Sequence, residues 1–212
     1  VIYLTPPTTS VIERIVSSPH LGAIITPDSD RPALYDLSRF RCWGADNGCF
    51  SATTRFDDIR YIYWLLSLRS HVSSCLFATA PDVVGDHEKT WERSKPWLGT
   101  IKTLGFPAAF VAQDGFDGGQ GVDWSMIDVL FVGGTTHYKL GEQAVSAIRK
   151  AQELGKKVHV GRVNSKRRVE IFNSLKVDSI DGTYLIFGPD TNFTNLERWM
   201  KSANNYRQEV FF

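Results

Sequence analysis

Val129-Leu130-Phe131-Val132-Gly133-Gly134 opens the stretch that decides the fold. A helical segment, Glu142–Leu154, follows and stops at Gly155, a residue free to take the positive φ that closes a helix C-terminus. Val158-His159-Val160-Gly161-Arg162-Val163 reads as the next strand, Asn164–Leu175 as the next helix, and Asp178-Ser179-Ile180-Asp181 as the strand after it. Strands that alternate with helices, with no hairpin turn between them, pair in parallel through helical crossovers.

The same alternation runs back to the start of the chain. Ile2–Thr5, Gly22–Thr26, Cys42–Asp46, Cys75–Asp82 and Ala108–Gln113 are further strands, bringing the total to eight. Ser10-Val11-Ile12-Glu13 has the form of a capping box, Asp57–Ser70 carries a Tyr/Trp/Leu stripe, and Thr90–Leu104 is helical in spite of Pro96. A last helix is expected from the capping box Thr194-Asn195-Leu196-Glu197. Eight such strands predict an α/β fold, a single (β/α)8 barrel of the TIM type over residues 1–212. The rival, an open doubly wound sheet, calls for a glycine-rich phosphate loop after its first strand, and Thr5-Pro6-Pro7-Thr8 is unlike one. The Gly-rich Phe116–Gly121 reads as a loop after the fifth strand.

Composition narrows the function classes. A formal net charge of +1 means that any nucleic-acid contact must come from a local patch. No apolar run approaches the ~20 residues that span a bilayer, so no membrane partner is expected. Val1–Pro7 lacks the layout of a secretory signal. Cys42, Cys49 and Cys75 are too scattered for a disulfide framework or a zinc cluster, which suits a reduced, cytoplasmic protein.

In a barrel of this type the chemistry sits at the C-terminal ends of the strands. There the chain places Asp46-Asn47-Gly48-Cys49-Phe50, Ala80-Pro81-Asp82, Gln113-Asp114-Gly115, Gly133-Gly134 and Asp181-Gly182. One strand-end Asp is readily explained as a helix cap. Polar groups on five strands form a stronger pattern. By side-chain alternation Asp181 shares a face with Ser179, Asp82 with Ala80 and Ala78, and Asp46 with Gly44 and Cys42, so small residues would leave a pocket beneath the acids. Carboxylates crowded in one cavity cannot all ionise cheaply, which prepares one as an acid and another as a nucleophile, the equipment of glycosidic-bond chemistry. His159 is expected to alternate outward onto the helices, and Cys49 to serve as a small filler.

As an ordered set these motifs resemble the tRNA-guanine transglycosylase superfamily, especially its short DNA-modifying branch. Asp46-Asn47-Gly48-Cys49-Phe50 is similar to that family's Asp-Ser-Gly-Gly-Phe, Val111-Ala112-Gln113-Asp114-Gly115 to its Val-Gln-Gly-Gly, and Phe131-Val132-Gly133-Gly134 to its Gly-Gly turn. His159-Val160-Gly161-Arg162-Val163 resembles the glycine-containing end of the next strand, and Val177-Asp178-Ser179-Ile180-Asp181-Gly182 is similar to Ile-Asp-Met-Phe-Asp-Cys. The resemblance implies Asp181 as nucleophile and Asp46 as the group that handles the base proton. It implies Asp82, Gln113 and the Gly133-Gly134 turn as readers of the purine edge, with Asn47 and Gly161 beside them. The family's Cys-x-Cys-x-x-Cys…His zinc site has no counterpart in Asn192–Phe212, which favours DNA over tRNA and implies neither metal nor cofactor.

The implied activity is exchange of guanine in DNA for a 7-deazaguanine base, in a cell or a phage-infected host, through a covalent glycosyl-enzyme. The target base must be flipped or single-stranded. Arg162, Lys166, Arg167 and Arg168, near the start of the helix after the seventh strand, are the expected phosphate contacts, whereas Lys156 and Lys157 precede that strand and face the other end. Two readings stay open beside it. One is a tRNA-guanine transglycosylase-like, nucleosidase or N-glycosidase enzyme that lets water resolve the intermediate; the other is a module that binds modified bases without chemistry.

Overall fold

The structure, a computed structural model, describes residues 1–31, 35–49, 56–119 and 121–209. Phe50 of the Asp46 motif, Gln120 of the Gly-rich stretch and 210–212 of the C-terminal segment lie outside the described residues. Eight strands occur where alternation puts them: β1 Ile2–Thr5, β2 Leu21–Ile25, β3 Trp43–Ala45, β4 Cys75–Thr79, β5 Ala108–Ala112, β6 Val129–Val132, β7 Lys157–Val160 and β8 Ser179–Asp181. Each pairs in parallel with the next, and β8 returns to β1 through Tyr3↔Ile180, closing the barrel. This is the (β/α)8 architecture. The ladder ends a residue or more short of the expected Asp46, Asp82, Gln113 and Gly133, so these positions belong to the loops at the mouth.

The helices are α1 Ile12–Ser17, α2 Asp58–Ser67, α3 His87–Thr103, α4 Thr136–Leu140, α5 Glu142–Glu153, α6 Lys166–Ser174 and α7 Pro189–Glu209. Neither expected capping box forms. Helix α1 starts after Val11 with no side-chain cap, and Ser10 meets Thr8 instead. Helix α7 begins at Pro189, whose fixed φ suits a first helical position, which leaves Thr194 and Glu197 inside the helix. Asp57, Asp86 and Ser165 do cap α2, α3 and α6, each accepting from the backbone N–H three residues on.

Two cores divide the apolar residues. The outer one, between strands and helices, takes Trp43, Ala45, Ala78, Ala80, Val158, Val160 and Ile180. The inner one fills the barrel with Leu4, Ile24, Cys42, Phe77, Val111 and Phe131. Gly44 is required here: a Cβ on it would stand 2.5 Å from Cζ of the fully buried Phe77.

These cores test the alternation. Asp46 and Asp181 face inward as expected, since Trp43, Ala45 and Ile180 between the inward positions belong to the outer core. The parity drawn for Asp82 does not hold. Ala78 and Ala80 face the helices, and Phe77 fills the barrel below the site. The register slips between β3 and β4, where Trp43 opposes Cys75 but Gly44 opposes Phe77, yet this bulge precedes Ala78 and leaves the count from Ala78 onward unchanged. Asp82 reaches the mouth only because the chain leaves the ladder after Thr79.

Candidate active site at the barrel mouth

A cavity of about 330 Å³ opens at the C-terminal end of the strands, lined among others by Asp46, Asp82, Gln113, Asp181 and Arg162. That size lies at the lower end of the range for small-molecule sites. Asn47, Gly133, Gly134 and Gly161 also line it, so the expected catalytic and substrate-binding residues converge on one cavity.

Each carboxylate stands in different surroundings. Asp82 is buried, with Asn47 Nδ2 donating to Oδ1 at 3.0 Å and Gln113 Nε2 to Oδ2 at 2.6 Å. Gln113 is itself oriented, since its Oε1 accepts from Gly85 N at 2.9 Å. Asn47 is wholly engaged: Nδ2 also donates to Ala80 O at 2.8 Å, and Oδ1 accepts from Cys49 N at 2.7 Å. Asn47 is therefore a strut that aims Asp82. Burial raises the Asp82 pKa, and the two amides act against that rise.

Asp46 is supported far less. Thr79 Oγ1 donates to its Oδ1 at 3.4 Å, and the Gly48 amide assists. Burial, then the charges of Asp82 and Asp181, push its pKa up to about 7. A carboxyl poised there can give and take a proton at neutral pH.

Asp181 has a donor on each oxygen: Arg162 N reaches Oδ1 at 3.0 Å and His159 Nε2 reaches Oδ2 at 2.9 Å. His159 corrects the expectation of an outward side chain. Val158 and Val160 go to the outer core, so the residue between them points to the barrel axis, where His159 is fully buried against the rings of Phe77 and Phe131, at 4.5 and 4.6 Å between centroids. The alternation that placed Asp181 also signals this. Gly161 passes close to Phe131, since a Cβ there would meet Phe131 Cε1 at 2.9 Å and Asp181 Oδ2 at 3.3 Å.

The remaining expected residues separate into two groups. Arg162 takes a left-handed backbone (φ 59°) and turns its guanidinium to the carbonyl of Gly134, so it walls the cavity as well as standing on the rim. Lys166, Arg167 and Arg168 form the first turn of α6, at the mouth end of the barrel. Lys166 pairs with Glu170 at 3.5 Å, and Lys157 with Asp178 at the opposite end. Gly133 N is used in the sheet, donating to Ala112 O, so Gly134 supplies the next amide of the turn. Asp114 is a cap for Thr135. Burial pushes the Cys49 thiol up to about 11, which suits a filler rather than a nucleophile.

One residue had no signal in the sequence. Lys139, on the short α4, is buried with Nζ donating to Gly161 O at 2.7 Å, and burial and the charge of Arg162 lower its pKa to about 8. Among the described residues no group of His, Cys, Asp and Glu is arranged to hold a metal ion, and no helix is long and apolar enough to cross a membrane.

No protein-family model matches the chain, and no curated protein matches it. Solved structures do. A protein of Aquifex aeolicus VF5 superposes with a TM-score of 0.59 at 12% identity, covering 97% of this chain and 92% of that one. A chain of the tryptophan synthase complex of Pyrococcus furiosus gives 0.56 at 13%, covering 96% and 97%. A chain of the BexX/CysO complex of Amycolatopsis orientalis gives 0.54 at 14%, covering 95% and 86%. Likenesses at such low identity carry the barrel and leave the chemistry to the site.

Proposed function

We propose that this chain is an enzyme, a base-exchanging transglycosylase that replaces guanine in DNA with a 7-deazaguanine. The observation that carries this reading is the convergence on one cavity of three carboxylates in three different settings: Asp181 with a donor on each oxygen, Asp46 with its pKa near 7, and Asp82 held by two amides.

In the proposed reaction a carboxylate oxygen of Asp181 attacks C1′ of the flipped nucleotide. The C1′–N9 bond breaks, its electron pair passes to the base, and the Asp46 proton neutralises the departing guanine. The incoming base then loses its N9 proton to Asp46, N9 attacks C1′, and Asp181 is released. Two inversions retain the sugar's configuration, and Asp46 ends as it began. Asp82, as an acceptor, suits the N–H groups of a guanine-type edge, and the Gly134 amide suits its carbonyl oxygen. Adenine would turn a ring-nitrogen acceptor toward the carboxylate and be disfavoured. Lys166, Arg167 and Arg168 beside the mouth suit phosphates flanking a flipped base.

The test is to incubate the protein with DNA and labelled guanine and to count label in the DNA. Incorporation that disappears in a folded Asp181→Ala variant is expected. Release of guanine without incorporation would make the enzyme a hydrolytic N-glycosidase, and wild-type exchange by the variant would remove Asp181 as nucleophile.

A further inference from the structure

The exchange scheme leaves unused a titratable side chain sealed inside the barrel. His159 is fully buried, its ring packs against both Phe77 and Phe131, and both its nitrogens have partners: Ser179 Oγ at 2.8 Å from Nδ1 and Asp181 Oδ2 at 2.9 Å from Nε2. Ser179 and Asp181 sit two apart on β8, on its inward face, opposite β7 in the register His159↔Ser179. An ionised carboxylate can only accept, so Nε2 must carry the hydrogen. Ser179 has a hydroxyl that can donate, so the bare Nδ1 of that tautomer has its partner too.

The backbone of β7 completes the grip. Arg162 N holds the other oxygen of Asp181, an angle available because Arg162 takes positive φ. Just before it, the Gly161 carbonyl is pinned by the buried Lys139. Both oxygens of Asp181 are thus held from one strand end, by an imidazole below and an amide above, and the carboxylate has little freedom to rotate.

We propose that His159 is a positioning residue: its Nε2–H, in the tautomer that the acceptor-only carboxylate demands and the Ser179 hydroxyl accommodates, fixes the plane of the Asp181 carboxylate against the reacting carbon. Its kinetic consequence rests on the exchange reading above; its geometry does not. Misaligning a nucleophile by a fraction of its reach slows chemistry on the order of 100-fold without weakening a base bound elsewhere in the cavity.

The experiment compares His159→Phe, which keeps a ring and loses the donor, with His159→Gln, whose amide nitrogen falls near Nε2, and His159→Asn, whose amide falls near Nδ1. For Phe and Asn, kcat for label exchange should fall on the order of 100-fold with KM for the base within about threefold, and Gln should recover at least tenfold of the loss. Equal losses in all three folded variants, or a loss confined to KM, would overturn the positioning role. A second arm needs no activity. The 15N spectrum of histidine-labelled protein, with His159 assigned by its absence in the Gln variant, should show Nε2 protonated and Nδ1 bare. The reverse tautomer would overturn the proposal even if exchange occurs, and absence of exchange in the wild type would remove the reaction while the spectrum still decides the geometry.

Discussion

Replacing Asp46 by Asn should stabilise the protein in a way that depends on pH. The carboxyl is raised from an ordinary 3.8 to about 7, chiefly by burial and then by the charges of Asp82 and Asp181. A group with a raised carboxyl pKa binds more protons in the native than in the unfolded state between those two values, so stability falls as pH rises from about 4 to about 7 and stays reduced above that. About three pH units at ~1.36 kcal/mol each is about 4 kcal/mol; Asp46 keeps some solvent contact at the cavity, so about 2 kcal/mol is the sounder expectation. Asn keeps an oxygen that can accept from Thr79 and Gly48 and has no charge to bury. Urea unfolding from pH 4.5 to 8.5, with wild type and Asp46→Asn at equal m-value, should therefore show curves that nearly coincide at the acid end and separate by about 2 kcal/mol at pH 8, or roughly 4–8 °C in Tm for a chain of this size. The same variant should lose the proposed base exchange, because it has no carboxyl proton to give. A difference that does not change with pH, or a variant less stable than wild type at pH 8, would refute the claim that Asp46 is held against its own charge.

Replacing Lys166, Arg167 and Arg168 together by Gln should flatten the salt dependence of duplex DNA binding by up to ~2.7 in log–log slope, about 0.9 for each phosphate that is no longer neutralised. The same change should leave folding stability equal or higher by a few tenths of a kcal/mol or more, because three cations in the first turn of α6 oppose the helix dipole; parallel salt lines with equal intercepts would move the DNA path elsewhere. Gly44→Ala should cost about 1–3 kcal/mol by overpacking Phe77, and much less in a Phe77→Leu background. Additive effects in that double-mutant cycle would mean that the methyl meets something other than the ring.

The barrel was legible because its signal is periodic and local. Each β-rich run next to a helical run is a reading of neighbours in sequence, and eight of them leave few closed arrangements. Element edges were less so. Thr194-Asn195-Leu196-Glu197 has the composition of a helix start, yet Pro189 begins α7 earlier, because the Thr side chain is only one way of satisfying a helix N-terminus. The inward direction of Asp46 and Asp181 could be counted from the alternation, and so could that of His159 from Val158 and Val160. For Asp82 the count fails because the ladder ends at Thr79, so strand alternation no longer governs Ala80-Pro81-Asp82.

Distinct roles for the three carboxylates came only from the family resemblance, while the surroundings that set them apart were not legible, and the reason is physical. Asp46, Asp82 and Asp181 are the same side chain at the same kind of strand end, and they differ through partners far away in the chain. Asn47, one residue after Asp46, spends its amide on Asp82 and leaves Asp46 with a long contact to Thr79. Gln113 also turns to Asp82, while His159 and the Arg162 amide turn to Asp181. Asp46, buried and facing the charges of Asp82 and Asp181 with only Thr79 and the Gly48 amide to offset them, holds its proton to about pH 7. If a single donor were redirected, for instance Asn47 toward Asp46, the Asp46 pKa would be lowered and the proposed exchange would have a poorer proton carrier. The division of roles in the proposed scheme would therefore rest on the second residue of the Asp46-Asn47 pair as well as on the acids themselves.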